Sequence, residues 1–312
     1  MHSKTVLILV LAVLWNANLW AQKSTTEIGL VTDNDLYTSS KNDMYYTNGL
    51  EIFHRHLVKN TNDSIEKRTI EFKLGQYIYT PRFLDSKDES GIDRPFAGYL
   101  FGEVGSNVFY KNESVLKANL QLGYVGPNSF GRETQKSFHK LVGYKAVSGW
   151  EYQIKNALAV QTQFFYSKKI FQTKESTKID FHFQSEANLG TIFTGVSTGF
   201  LTRIGLKKLV PVYNSNLHGA SLGSVATEFY FYIAPSVNYQ LYDATIQGSL
   251  FSSNSPVTFS LVPFRFNGEA GFKYRKNNLN LSYVFVYRGK ELYSKTISGY
   301  FYGSIGLSYL LK

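Results

Sequence analysis

Residues 68–79 read RTIEFKLGQYIY, with Ile70, Phe72, Leu74 and Ile78 on one face and Glu71, Lys73 and Gly75 on the other. The same alternation returns in VLKANLQLGYV, where Leu116, Ala118, Leu120, Leu122 and Tyr124 alternate with Lys117, Asn119, Gln121 and Gly123. It returns again in GYFYGSIGLSYLL, with Phe301, Ile305, Leu307, Tyr309 and Leu311 in phase. GWEYQIKNALAVQTQF places Trp150, Tyr152, Ile154, Leu158 and Val160 on one side, against Glu151, Gln153, Lys155 and Gln161. A period of two marks strands, because successive side chains point to opposite faces. These runs extend over about 10–14 residues, against ~5–6 for an ordinary strand.

A soluble sandwich would bury the apolar face between two sheets. A transmembrane barrel would turn it to lipid and keep the polar groups inside, crossing the bilayer in ~9–11 residues per strand. Strand length, charges on the polar face, and Tyr and Phe near the strand ends favour the barrel. The 23 Tyr and 24 Phe against 3 Trp and 2 Met suit a pleated surface. No internal run reaches the ~18 apolar residues of a spanning helix. The expected strands are 27–35, 45–57, 67–79, 97–109, 115–126, 148–166, 178–189, 193–206, 225–242, 260–275, 278–290 and 297–311. The fold class is therefore all-β, an antiparallel transmembrane barrel of about 12 strands, an even number as in single-chain bacterial barrels.

Compartment follows from the first residues. Lys4, the apolar run VLILVLAVLW and Ala21 form a secretory signal peptide over residues 1–21, leaving one barrel domain over 22–312. Cysteine is absent, which excludes disulfides and thiolate metal sites. The net charge of +10 is dispersed, Lys136 and Lys140 included, with no basic block of the kind that binds nucleic acid. Basic loops facing an anionic surface or lipid fit better.

With a periplasmic N-terminus, the connections 36–44, 80–96, 127–147, 190–192, 243–259 and 291–296 lie outside. Segments 110–114 and 275–278 are short enough for periplasmic turns. Loop 127–147 breaks the alternation. Gln135, Phe138, His139 and Val142 share a helical stripe, so a helix is expected at about 131–142 over the outer mouth. Polar groups gather at the same end: Asn34 and Asp35 closing the first strand, Thr47 and Asn48 opening the second, Arg82 after the third, Asp93 and Arg94 before the fourth, and His139 with Gln135 on the helix.

The segments DNDLYTSSKNDMYYTNGL, QYIYTP, DRPFAGYL, GYVGPNSFGRETQKSFHKLVG, GWEYQ and SVNYQ, in that order, resemble the outer-membrane lipid A 3'-O-deacylase family over essentially the whole mature chain. The block from Gly126 to Gln153 is the most specific part. The resemblance implies a calcium-dependent ester hydrolase, a lipid A deacylase, that removes the 3'-linked acyloxyacyl chain of lipopolysaccharide in the bacterial outer membrane, its site towards the outer leaflet.

On that reading His139 is the general base that activates water. Gln135 orients the imidazole or binds substrate. Asp35 ligates calcium, Asn34 adds a carbonyl oxygen or an oxyanion donor, and Thr47 donates to substrate or to calcium-bound water. Arg82 and Arg94 bind the glucosamine phosphates. Each has a plainer role: a surface histidine, a strand-ending turn, a β-branched strand residue, an Arg94–Asp93 ion pair. Glu151, the one acid in the YKAVSGWE stretch after the helix, is expected inside a strand. No His–Ser pairing like that of outer-membrane phospholipases is assigned, so water is expected to attack directly. A monomer is expected. The alternatives are a porin-like or structural barrel and an outer-membrane phospholipase.

Overall fold

The computed structural model describes residues 24–38, 45–82, 89–144, 147–171, 177–251, 254–294, 296 and 298–311. The signal-peptide assignment lies outside the described residues. Twelve antiparallel strands close into a barrel: β1 (Thr26–Asn34), β2 (Tyr45–Val58), β3 (Ile65–Thr80), β4 (Ala97–Tyr110), β5 (Ser114–Val125), β6 (Ala157–Lys169), β7 (Ile179–Gly190), β8 (Phe193–Gly205), β9 (Glu228–Asp243), β10 (Phe264–Lys276), β11 (Leu279–Gly289) and β12 (Gly299–Leu311). Each strand pairs with its sequence neighbours, and β1 closes the ring on β12 in an unbroken register from Thr26 opposite Leu311 to Asn34 opposite Gly303. Among the described residues no helix is long and apolar enough to cross a membrane.

The alternation sorts side chains as lipid demands. Phe72, Leu74, Leu122, Leu158, Phe200 and Ile305 project outward and are exposed, while Glu71, Gln121 and Ser308 point inward and are buried. Closure leaves no unpaired edge, which a bilayer would not tolerate. Several inward charges are paired in place. Arg55 donates to Glu71 at 2.6 Å and to Glu27 at 2.6 Å, and Lys73 lies 3.2 Å from Glu51 and 3.4 Å from Glu103.

One expected strand is corrected. The sixth begins at Ala157, not 148; Trp150–Tyr152 is a 3-10 turn, with Trp150 and Ile154 buried under the loops. Trp150 packs on Phe96 at 5.1 Å between ring centroids. Large side chains spaced by two mimicked a strand here because the Gly149 turn happens to bury residues of the same parity.

One rim of the barrel carries the tight turns at 111–113 and 277–278 and the long segment 206–227; the other carries most of the remaining long connections and the tight turn at 191–192. Residues 206–227, between β8 and β9, fold back into the short-turn end. Lys67 Nζ holds this segment through the carbonyls of Tyr213 at 2.7 Å and Ala220 at 2.6 Å, and Leu217 is buried against the Tyr230–Tyr232 wall. The long-loop end is filled by Ile246 of the short helix α2 (Ala244–Gln247) with Tyr79, Leu292 and Tyr300. The expected helix is present as α1 (Gly131–Val142).

Candidate active site

Helix α1 does not lie over the mouth of the barrel. It packs on the outside wall, at the long-loop rim. The chain reaches that position through Gly126 (φ 93°), the 3-10 turn Pro127–Ser129 and Phe130 (φ 56°). Gln76, which occupies an outward position on β3, donates to the Ser129 carbonyl at 2.6 Å and ties the turn to the wall. Gly98 on β4 then allows close approach: a Cβ there would lie 2.0 Å from Ser129 Oγ and 3.1 Å from Gly131 Cα. The helix ends where Gly143 (φ 79°) adopts a left-handed conformation and its N–H bonds the His139 carbonyl. Gly131, Gln135 and His139, four residues apart, form the buried stripe. Arg132, Lys136 and Lys140 form the adjacent exposed one. Phe138 and Leu141 are also exposed, at 38% and 84%, as befits a helix lying against a lipid phase.

Between the buried stripe and the barrel is a cavity of ≈ 200 Å³ lined by Asn34, Asp35, Thr47, Gln135 and His139 together with Thr32, Leu50 and Ile78. The five residues expected to act in catalysis are thus brought to one place from β1 and the 3-10 turn after it, from β2 and from α1. Asn34 ends β1 and caps the turn Asp35–Tyr37, its Oδ1 accepting from the Leu36 N–H at 2.8 Å. Asp35 is 1% exposed.

Thr47 reaches the cavity by a β-bulge. Tyr46 pairs with Tyr79 and Asn48 with Ile78, so Thr47 is an extra residue in β2. Tyr46 points inward to Asp33, whereas both Thr47 and Asn48 line the outer cavity. A regular strand would have placed one of these two inside. Thr47 Oγ1 lies 2.5 Å from Thr80 Oγ1.

On the helix side, Trp150 Nε1 donates to Gln135 Oε1 at 2.8 Å. That fixes the amide and leaves Gln135 Nε2 buried without a partner among the described residues. Tyr144 meets the His139 ring edge-on at 5.6 Å. Sequence reasoning missed the roles of Trp150, Tyr144 and Ile78. The outward Gln76 in an otherwise apolar row was a readable sign that something polar covers that part of the wall.

The two arginines fall elsewhere. Arg94 is fully buried inside the long-loop end. Its Nε bonds Glu291 at 2.8 Å, its Nη2 bonds Thr245 Oγ1 at 2.9 Å, and its guanidinium lies 4.3 Å from the centre of the Tyr79 ring. Its ion-pair partner is Glu291 and not Asp93, which instead accepts from Tyr45 and from the Arg82 N–H. Burial opposes both charges, but the pairing outweighs it: Arg94 is held above its ordinary range, and Glu291, facing Arg94 and Arg265, is held below the usual carboxylate range. Arg82 is exposed at the rim and does not line the cavity. Glu151 is exposed in the 3-10 turn and not in a strand.

A family model described as outer membrane protein LpxR matches residues 6–311. The chain belongs to the LpxR family. Membership places it among outer-membrane enzymes that modify lipid A. The solved structure of LpxR from Salmonella typhimurium matches with a TM-score of 0.76 at 17% identity, over 91% of this chain and 100% of that one. The β domain of the Bordetella autotransporter BrkA matches at a TM-score of 0.50 and 11% identity, over 93% of this chain and 100% of that one. At such identities these structures establish the barrel fold. No curated protein matches.

Proposed function

We propose that this LpxR-family barrel is a lipid A deacylase that hydrolyses the 3'-linked acyl ester with water activated by His139. One observation carries the reading: the cavity holding His139 opens on the lipid-facing wall, not in the lumen. A substrate anchored in a bilayer reaches it sideways, without leaving the membrane. A porin-like pore finds no comparable support, since chain segments occupy both ends of the barrel.

In this reading the His139 imidazole removes a proton from water as it attacks the ester carbonyl, and returns it to the 3'-oxygen as the acyl C–O bond breaks, releasing the acid and the sugar hydroxyl. Gln135 Nε2, fixed through Trp150, donates to a substrate oxygen, and Thr47 adds a hydroxyl. Dry, pre-placed donors of this kind are worth most where negative charge develops. Asp35 is the carboxylate on the cavity wall, and among the described residues no cluster of three or more metal-binding side chains forms. Asp35 with the Asn34 amide oxygen and the Thr47 hydroxyl nevertheless makes a hard, all-oxygen donor set of the type calcium takes, the remainder of its ~6–8 ligands coming from backbone, water and substrate. Calcium held there would polarise the ester carbonyl. The exposed Arg132, Lys136 and Lys140 stripe replaces Arg94 as the partner for the phosphates. The long-loop rim faces the outer leaflet, as the short turns at the other rim suggest.

The test is the mass spectrum of lipid A from cells expressing the chain. Wild type removes one acyl or acyloxyacyl group. His139→Ala, folded as judged by heat-modifiable migration, loses ~10²–10⁴-fold of that activity. Identical spectra for the two would refute the reading, and release of lysophospholipid instead would make the enzyme a phospholipase.

A further inference from the structure

The outward residues form rows across the sheet, and the rows can be followed away from the cavity. The first row, Asn34, Asn48, Ile78 and Gly98, and the second, beginning Thr32 and Leu50, belong to the cavity and to the helix docked on it. The third runs Leu30, Ile52, Leu74, Gly102 and Leu122 in register. The fourth runs Ile28, His54, Phe72, Val104 and Leu120. Rows are two residues apart, ~7 Å along a strand. The third and fourth border a shallow groove of ≈ 620 Å³.

Gly102 makes the groove. Its neighbours in the row, Leu74 and Leu122, stand 57% and 56% exposed on either side. A Cβ on Gly102 would meet no atom within 4 Å. The glycine is therefore not required by packing or by backbone conformation, unlike Gly98 four residues before it. What it does is leave a notch in an otherwise apolar wall, in the row directly after those that line the cavity.

We propose that this groove is the acyl-chain subsite: the chain whose ester sits at His139 runs down the barrel wall through the Gly102 notch, past Leu74 and Val104, towards His54. The proposal rests on the reading of the site as a lipid A deacylase. Continuity supports it, because Leu50 lines the cavity and Ile52, the next outward residue on β2, lines the groove. Reach supports it too. From the row of Asn48 to that of His54 is six residues, ~20 Å, the scale of a long saturated chain and beyond that of a short one.

The experiment compares two lipid A substrates that differ only in the length of the acyl chain at the cleaved ester, one long and one short, using the full-length chain with Gly102→Leu and Gly102→Trp. Both substitutions project into open space, and heat-modifiable migration reports the folded barrel. With the notch filled, kcat/KM for the long chain falls about tenfold or more while the short-chain value stays within about twofold. Equal effects on both substrates, or none on either, in folded protein would overturn the subsite and show that the groove holds bulk lipid only. Inactivity of wild type on both substrates would instead overturn the deacylase reading, and the subsite with it. Should Gly102→Trp fail to assemble, Gly102→Leu decides alone.

Discussion

At the scale of single residues, the site depends on small departures from regularity. Thr47 is outside only because one residue too many was inserted into β2. Asn34 is the last residue of β1, and its cap on the Leu36 N–H turns Asp35 towards the helix. Asp35 is the position at which the proposed calcium can be tested directly. Asp35→Asn keeps the volume and removes the charge, so it should abolish both deacylation and any rise in unfolding temperature when calcium is added to the chelator-treated protein. A calcium-dependent rise of equal size in wild type and Asp35→Asn would show that the ion binds elsewhere. The thermal readout separates a metal ligand from a residue that merely ends a strand, because the latter would leave calcium linkage unchanged.

At the scale of elements, the barrel was legible in the sequence and the docking of α1 was not. Period-two runs locate strands because each side chain must choose between lipid and lumen, and that choice is written at every position of β3, β5 and β12. The candidate site residues were picked out for a different reason, through the resemblance: Gln135 and His139 by the Gly126–Gln153 block, and Asn34, Asp35 and Thr47 by the segment DNDLYTSSKNDMYYTNGL. What the period could not reveal is which apolar-phase positions are covered by a loop. Gln76, Ile78 and Gly98 occupy the lipid phase but lie beneath the turn and helix, and Trp150 kept strand parity inside a 3-10 turn. Arg94 was misread for a related reason. A loop arginine near a rim looks available, and only the fold reveals Glu291, 197 residues further on, as its partner. The Gly98–Gly131 approach makes α1 separable from the barrel. Gly98→Leu should leave heat-modifiable folding intact while displacing His139 by an ångström or more, at a cost of about 10²-fold in kcat/KM. Full activity in this variant would mean that α1 adapts without moving the imidazole.

For the whole molecule, chemistry and scaffold occupy opposite faces of one wall. The lumen holds the paired charges, the infolded 206–227 segment and the Arg94–Glu291 pair; the proposed reaction takes place outside. This separation predicts that a lumen defect lowers stability without altering turnover. Glu291 is the place to look. Its carboxyl is held below the usual carboxylate range by Arg94 and Arg265 against the opposing effect of burial. A group whose folded pKa is depressed contributes stability above its unfolded pKa and loses it as pH falls through the folded value. The pair is therefore at full strength at neutral pH and fails only under acid, below the ordinary carboxylate value of ~4.3. Glu291→Gln leaves Arg94 buried with its main counter-charge gone, a change worth ~3 kcal/mol. The unfolding temperature in detergent at neutral pH should drop, and the gap to wild type should close as the pH is lowered through the carboxylate range. Below the variant's own unfolding temperature, deacylation should match wild type. A turnover defect in folded Glu291→Gln would show instead that the interior of the barrel and the site on its outer wall are coupled.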